Sequence, residues 1–280
     1  MIIAFSFTLT GNIIYGLAFL EKGPTFICEG GSECDRERAC AEGYIDTKYE
    51  LYNWNQALGL ECESPERMGA IGSTFFVGFM IGAIVFLRLS DIIGRRYLVL
   101  GAYILHCVVG VMLLAAKNLE TIYVALFFLG LKTSPNGQVP YIQMLEFVTK
   151  DKRNICGMIL MSVDGAFVLL LAFYYALVPD YRPLLVYNLC VCILLLTLYF
   201  FCIYESPRYY VSRKNFRKAR VVFEKIAKRN GKPMFQEPLE GEEQMQQVRL
   251  PSLSLITRRK SSLKTGLRGR RRKRKTRTGF

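Results

Sequence analysis

The stretch Arg88-Leu89-Ser90-Asp91-Ile92-Ile93-Gly94-Arg95-Arg96 is a short polar break between two long apolar runs. Residues 69–87 precede it and residues 97–116 follow it, and neither run contains an acid, a lysine or an arginine. The hydrocarbon core of a bilayer is about 30 Å thick, so a helix needs about 20 apolar residues to cross it. Both runs meet that length, and the break reads as a tight hairpin between two spanning helices. Its three arginines against one aspartate place it on the cytoplasmic side by the positive-inside rule.

Working outward, the 280 residues divide into six apolar segments near 2–20, 68–87, 97–116, 120–148, 155–178 and 183–204. Hydrophobic residues make up 51% of the chain. The mean hydropathy is only +0.22 because a polar loop and a polar tail dilute the spans. Such sharp segregation excludes an ordinary soluble domain. The charge is segregated too. Residues 21–66 carry eleven acids against four Lys/Arg, whereas residues 205–280 carry 23 Lys/Arg against six acids. The formal net charge of +14 therefore describes the tail and does not indicate a nucleic-acid-binding domain. The first segment begins without a basic flank, and Phe19-Leu20-Glu21 is not a small-residue cleavage site, so it reads as a retained helix.

Residues 21–67 form a long connection holding Cys28, Cys34, Cys40 and Cys62. It lies outside if the 88–96 hairpin lies inside. An oxidising exterior favours disulfides, and four cysteines allow three pairings that the sequence leaves open. The gaps of 5, 5 and 21 residues are not the close pairs of a structural zinc site, so no metal is expected. The chain contains no N-x-S/T glycosylation acceptor.

Several polar residues fall within the apolar segments. Asn12 either bonds a neighbouring helix or lines a cavity. Gly78 and Gly82 make a small-xxx-small face that lets helix backbones approach. His106 is the single histidine and reads as bonded to a neighbouring helix, with proton coupling as the sharper alternative. The fourth segment is interrupted by Lys132-Thr133-Ser134-Pro135-Asn136-Gly137-Gln138-Val139-Pro140-Tyr141. Its prolines each remove a backbone donor. It therefore reads either as a broken helix lining a transport cavity or as a kink in a packed helix. Lys132, Asn136, Gln138 and Tyr141 become cavity candidates. Asp164 lies nine residues in from Ile155, or about 14 Å deep at 1.5 Å per residue. A carboxyl at that depth is a functional-site candidate. Lys132 is placed to reach it, as a transport pair or as a structural neutralising pair.

The 88–96 hairpin resembles the loop between helices 2 and 3 of major facilitator superfamily transporters, roughly G-x-L-x-D-R-x-G-R-R. Leu89, Asp91, Gly94, Arg95 and Arg96 match, while Leu87 and Ile92 replace a glycine and a basic residue. The pattern Pro140-Tyr141 through Glu146 to Arg153 resembles the helix 4–5 boundary of sugar porters and organic ion transporters, without their arginine early in helix 4. Glu205-Ser206-Pro207-Arg208-Tyr209 resembles the P-E-S-P-R-W-L motif that follows helix 6 in the same families, with Tyr204 and Tyr209 as departures. The long cysteine-bearing loop and the basic run through Ile226-Ala227-Lys228-Arg229-Asn230-Gly231 resemble the organic cation/anion transporters in particular. The resemblance implies a cytoplasmic gating network of Asp91, Gly94, Arg95, Arg96, Glu146, Arg153, Glu205 and Arg208.

The expected fold is an all-α membrane protein. Six transmembrane helices form the N-terminal half of a major facilitator fold over residues 1–204, with the cysteine-bearing loop at 21–67. Amphipathic cytoplasmic helices follow over 205–232, and a basic low-complexity tail over 233–280. The tail reads as a solvated segment attracted to anionic lipid. The implied function is secondary transport of small organic ions by alternating access, as a truncated or half-sized carrier paired with a second half-transporter or a second copy. The alternative is a non-transporting membrane scaffold or binding protein on the same fold. No nucleotide-binding loop or catalytic constellation stands out, so no enzyme activity, cofactor or nucleic-acid partner is expected. The expected location is a plasma membrane or endomembrane, multi-pass, with both termini cytoplasmic.

Overall fold

A computed structural model describes residues 2–28, 32–42, 46–48, 51–148, 150–229 and 231. The basic tail expected over 233–280 lies outside the described residues. Six long helices dominate the first of two compact units, which ends at Ser206. They are α1 (Ile2–Leu20), α4 (Pro65–Ile93), α5 (Arg95–Ala115), α6 (Leu119–Phe147), α7 (Arg153–Leu177) and α8 (Arg182–Cys202). Four of them, α4, α5, α7 and α8, are long and apolar enough to cross a bilayer. Their outward faces carry large apolar side chains, among them Ile84, Leu169 and Phe201, which are 65%, 74% and 76% exposed. A soluble protein rarely leaves so much apolar surface uncovered. In a bilayer it is the natural outer face.

Caps set several helix ends. Ser64 accepts from Arg67 N ahead of Pro65 at the start of α4, and Asn118 accepts from Thr121 N at the start of α6. A side-chain oxygen at these positions satisfies an otherwise orphaned helical N–H. Along the α4–α6 seam the backbones touch. A Cβ on Gly78 would overlap the Phe127 carbonyl oxygen, one on Gly82 that of Leu131, and one on Gly130 that of Phe75. The small-residue face read on α4 is therefore met by a glycine on α6.

Of the two readings that Pro135 and Pro140 left open, α6 follows the packed helix and not the broken one. It is one continuous helix with both prolines inside it. Side chains supply some of the local bonding: Thr133 Oγ1 donates to Leu129 O at 2.6 Å, and Ser134 Oγ to Gln138 Oε1 at 3.3 Å. Neither hydroxyl bonds the Leu131 or Asn136 carbonyl, which a proline four residues on leaves without a helical donor; there α6 is held by its tight packing against α4, where the Leu131 carbonyl meets Gly82.

The connection at 21–67 is a small folded layer. β1 (Thr25–Ile27) lies between β2 (Glu33–Cys34) and β3 (Asp46–Lys48), antiparallel to both. Two short helices join it, α2 (Arg36–Glu42) and α3 (Trp54–Leu58). Disulfides link Cys28 to Cys34 and Cys40 to Cys62. The layer docks on the bundle through amides. Asn53 Nδ2 donates to the Phe19 and Lys22 carbonyls, and Asn55 Nδ2 to those of Glu21 and Lys22, at 2.7–3.1 Å. These bonds satisfy carbonyls at and just beyond the C-terminus of α1, which has no intrahelical partners for its last ones. Trp54, 1% exposed, enters the apolar cluster of Ile71, Phe75, Leu113 and Leu171.

The second unit begins at Pro207, so the first extends two residues past the expected boundary at 204. In it, α9 (Pro207–Ser212) and α10 (Phe216–Arg229) are joined through Lys214 in a left-handed turn. Arg213 lies over the Tyr209 ring and Lys218 over the Tyr210 ring, at 5.8 and 5.9 Å. Along α10, Ala219 and Val222 are buried while Arg217, Lys218, Lys225 and Lys228 are exposed.

Candidate functional site

The 88–96 break folds as a helix–glycine–helix corner. Gly94 has φ 109 and ψ 148, a conformation essentially reserved for glycine. The corner leaves the first N–H groups of α5 pointing outward without helical acceptors. Glu205, 4% exposed, fills that position: its carboxylate accepts from Arg95 N, Arg96 N and Ser206 N, each at 3.1 Å. A carboxylate at a helix N-terminus is stabilised by both the hydrogen bonds and the helix dipole.

The Arg95 side chain turns the other way. It pairs with Glu146 at the end of α6 and reaches Asp91 at 3.4 Å. Arg95 and Glu146 are only 15% and 9% exposed, whereas Asp91 is 72% exposed. The Glu146 carboxylate also accepts from Ser206 Oγ at 2.5 Å. Arg96 donates to the Phe200 carbonyl at 2.6 Å and lies over the Phe200 ring. One cluster thus ties the ends of α4, α6 and α8 to the start of α5.

Of the gating residues implied by the resemblance, the structure brings together Asp91, Gly94, Arg95, Arg96, Glu146 and Glu205. Arg153 opens α7 half-buried, and no described contact joins it to the cluster. Arg208 is exposed and belongs to the second unit. Sequence reasoning passed over Ser206, although it stands inside the motif. It also passed over Gln143, which donates to the Tyr204 carbonyl at 3.0 Å and accepts from Tyr199 at 2.5 Å. The available signal was its position one helical turn before Glu146.

Polar groups inside the bundle form two separate sites. On the α1–α7 face, Tyr15 OH donates to Asp164 Oδ2 at 3.0 Å. Gly11 makes room for this contact, since a Cβ there would meet the Tyr15 ring at 2.9 Å and Asp164 Oδ1 at 3.2 Å. Asp164 is 9% exposed and Tyr15 43%. Asn12, 7% exposed, borders an adjoining apolar cavity of about 410 Å³ between α1, α7 and α8. Tyr141 of α6 rests against Gly157 of α7.

The second site lies among α5, α6 and α8. Lys132 Nζ is 2.6 Å from His106 Nδ1, His106 Nε2 is 2.6 Å from Asn188 Oδ1, and Asn188 Nδ2 donates to the Leu9 carbonyl at 3.0 Å. The suggested pairing of Lys132 with Asp164 is not among the described contacts. α6 turns Lys132 toward α5 and α8, while α7 turns Asp164 toward α1. Asn136, fully buried one turn beyond Lys132, has neither amide atom bonded among the described residues. Gln138 is half-buried and held by Ser134.

At the cysteine end, a cavity of about 590 Å³ is lined by Glu21, Glu33, Asp35 and Glu61 beside Arg36. Arg36 is committed to the Glu61 and Glu63 carbonyls. Burial pushes the Glu21 carboxyl up to about 7. No group of three or more potential metal ligands occurs among the described residues.

A helical bundle with an apolar outer face, charges locked at one end and polar pairs at depth defines an integral membrane protein. Residues 36–269 match the family described as sugar (and other) transporter. Solute carrier family 22 member 2 of Rattus norvegicus is 30% identical over 177 residues, covering 62% of this chain and 31% of the relative. Organic cation/carnitine transporter 4 of Arabidopsis thaliana is 26% identical over 227 residues, covering 77% and 42%. Organic cation/carnitine transporter 2 of Homo sapiens is 27% identical over 230 residues, covering 78% and 40%. The chain thus matches less than half the length of each of these relatives. It belongs to the sugar (and other) transporter family, and the relatives it resembles include organic cation transporters.

Proposed function

We propose that the chain supplies one six-helix half of a secondary carrier for small organic cations, working by alternating access. The observation that carries this reading is the Tyr15–Asp164 pair. Asp164 lies eleven residues into α7 from Arg153, about 16 Å at the helical rise. A carboxyl at that depth is expensive unless it serves a path or a ligand. A partly exposed tyrosine beside it adds an aromatic face that favours a cation. The names of the relatives carry the same substrate class.

In this reading the Arg95–Glu146–Glu205 cluster lies on the cytoplasmic side, as its excess of arginine favours. It holds the inner ends together in one state and parts in the other. The second half comes from the same polypeptide, a second copy or another half-transporter. The basic face of α10 and the basic tail favour contact with anionic lipid headgroups.

Uptake of tetraethylammonium by vesicles carrying the full chain tests the proposal. Asp164→Asn keeps size and removes charge. It is expected to lower uptake by roughly tenfold or more, the effect of losing a charged partner worth about 1.5–3 kcal/mol. Unchanged uptake at equal membrane insertion overturns the assignment of Asp164.

A further inference from the structure

We propose that Lys132 and His106 together form a proton-binding site. Asn188 fixes the His106 tautomer. Asn188 Nδ2 donates to the Leu9 carbonyl, so the amide oxygen is the atom that faces the ring. An oxygen only accepts, and His106 Nε2 therefore carries the ring hydrogen. Nδ1 is left with its lone pair, and Lys132 Nζ lies 2.6 Å from it. The contact has the geometry of an ammonium donating into an imidazole. Two basic nitrogens share one hydrogen bond, and both side chains are fully buried.

Release of one proton to water converts the ammonium–imidazole pair into a neutral amine–imidazole pair. The Nζ–H···Nδ1 contact survives, with an uncharged donor. A charge-assisted hydrogen bond is about twice as strong as a neutral one. Loading the site therefore changes how firmly α6 is held to α5 and, through Asn188, to α8 and α1. α6 also carries Glu146 of the charge cluster, so a single helix connects the proton site to the corner at Gly94. Lys132 borders an apolar cleft of about 230 Å³, walled by Phe86 and Ile93 of α4 and by Tyr97 and Leu105 of α5. The other described titratable groups facing the pair are the Cys192 thiol of α8 and, 3.3 Å from it, that of Cys107 on α5. Use of this proton to drive transport rests on the carrier reading above; the site itself does not.

His106 is the single histidine of the chain, so its ring nitrogens give an unambiguous signal. The test uses nitrogen-15 histidine and lysine in the full protein reconstituted in lipid, scanned from about pH 5 to 8. Magnetisation transfer between Nδ1 and one lysine Nζ is expected in the unmodified protein, and these two resonances move together in one step. In Lys132→Met the Nδ1 step disappears. A hydrogen on Nδ1 instead of Nε2, separate steps for the two nitrogens, no step, or a step that survives Lys132→Met overturns the proposal. The transfer and the tautomer are read without any substitution, so a variant that fails to fold leaves the test intact. Tetraethylammonium uptake measured in the same vesicles separates the two readings. A shared step without uptake at any pH keeps the proton site and removes the carrier, while uptake with a silent ring does the reverse.

Discussion

The two ends of the helix bundle are fastened by different chemistry. At the cysteine end, two disulfides, the amides of Asn53 and Asn55 and the indole of Trp54 fix a folded layer onto α1 and the apolar cluster. At the Gly94 end, the ties are ion pairs and a carboxylate on backbone N–H groups. Covalent links and buried apolar contacts do not part and re-form on the timescale of a transport cycle. Ion pairs and hydrogen bonds can be exchanged for others without breaking a covalent bond. In the proposed carrier, this difference makes the cysteine end the fixed brace and the Gly94 end the one able to open.

Substitutions at each end test this contrast. The largest effect is expected for Arg95→Ala, which leaves the nearly buried Glu146 without its arginine. Removing one partner of a buried pair costs about 3–5 kcal/mol. Asp91→Ala should cost less than about 1 kcal/mol, because Asp91 is 72% exposed and its pair with Arg95 is screened. Denaturant unfolding in detergent micelles checks both. Equal losses would mean that the cluster is a surface network.

Next in size is the Cys40–Cys62 bridge, whose cysteines are 22 residues apart in sequence. Replacing both by serine is expected to cost about 3 kcal/mol, with the loss confined to the cysteine end. Hydrogen exchange should show faster exchange in β1 and α3 and unchanged exchange at Gly94. Loosening at both ends would contradict two independent fastenings.

A pH dependence is expected at Glu21. Its carboxyl is pushed up to about 7 from the ordinary 4.5. The folded state therefore holds this proton more tightly than the unfolded chain does. The resulting stabilisation is complete below about 4.5 and is lost as the pH rises through about 7. Melting of the cysteine end should weaken over that window in the wild type. Glu21→Gln, which stays neutral, should flatten the profile.

Four of the six expected spans, α4, α5, α7 and α8, were readable because bilayer thickness fixes the length of an apolar run. Asp91, Gly94, Arg95, Arg96 and Glu205 were readable only through the resemblance of their motifs to those of major facilitator transporters; the structure adds that Gly94 makes the corner and Glu205 accepts from the N–H groups it exposes. What could not be read was rotation about the helix axis. Lys132 and Asp164 stand at suitable depths with opposite charges, yet packing turns them to different neighbours. The same limit hid Gly130 as the partner of Gly78 and Gly82. The prolines of α6 left two readings open for another reason. Their missing donors are tolerated within a continuous helix where the α4 seam packs tightly against α6. The three-stranded layer went unseen because strands of two or three residues are too short to show alternation.

The central claim is that these two ends face opposite sides of one bilayer. Single reporter cysteines at Lys117 and Arg88, both exposed and at opposite ends of α5 and α4, test it directly in a background with the five free cysteines replaced. A membrane-impermeant maleimide added to intact cells should label Lys117→Cys at once and Arg88→Cys only after permeabilisation. Labelling of both from the same side would contradict the topology and, with it, the assignment of brace and gate.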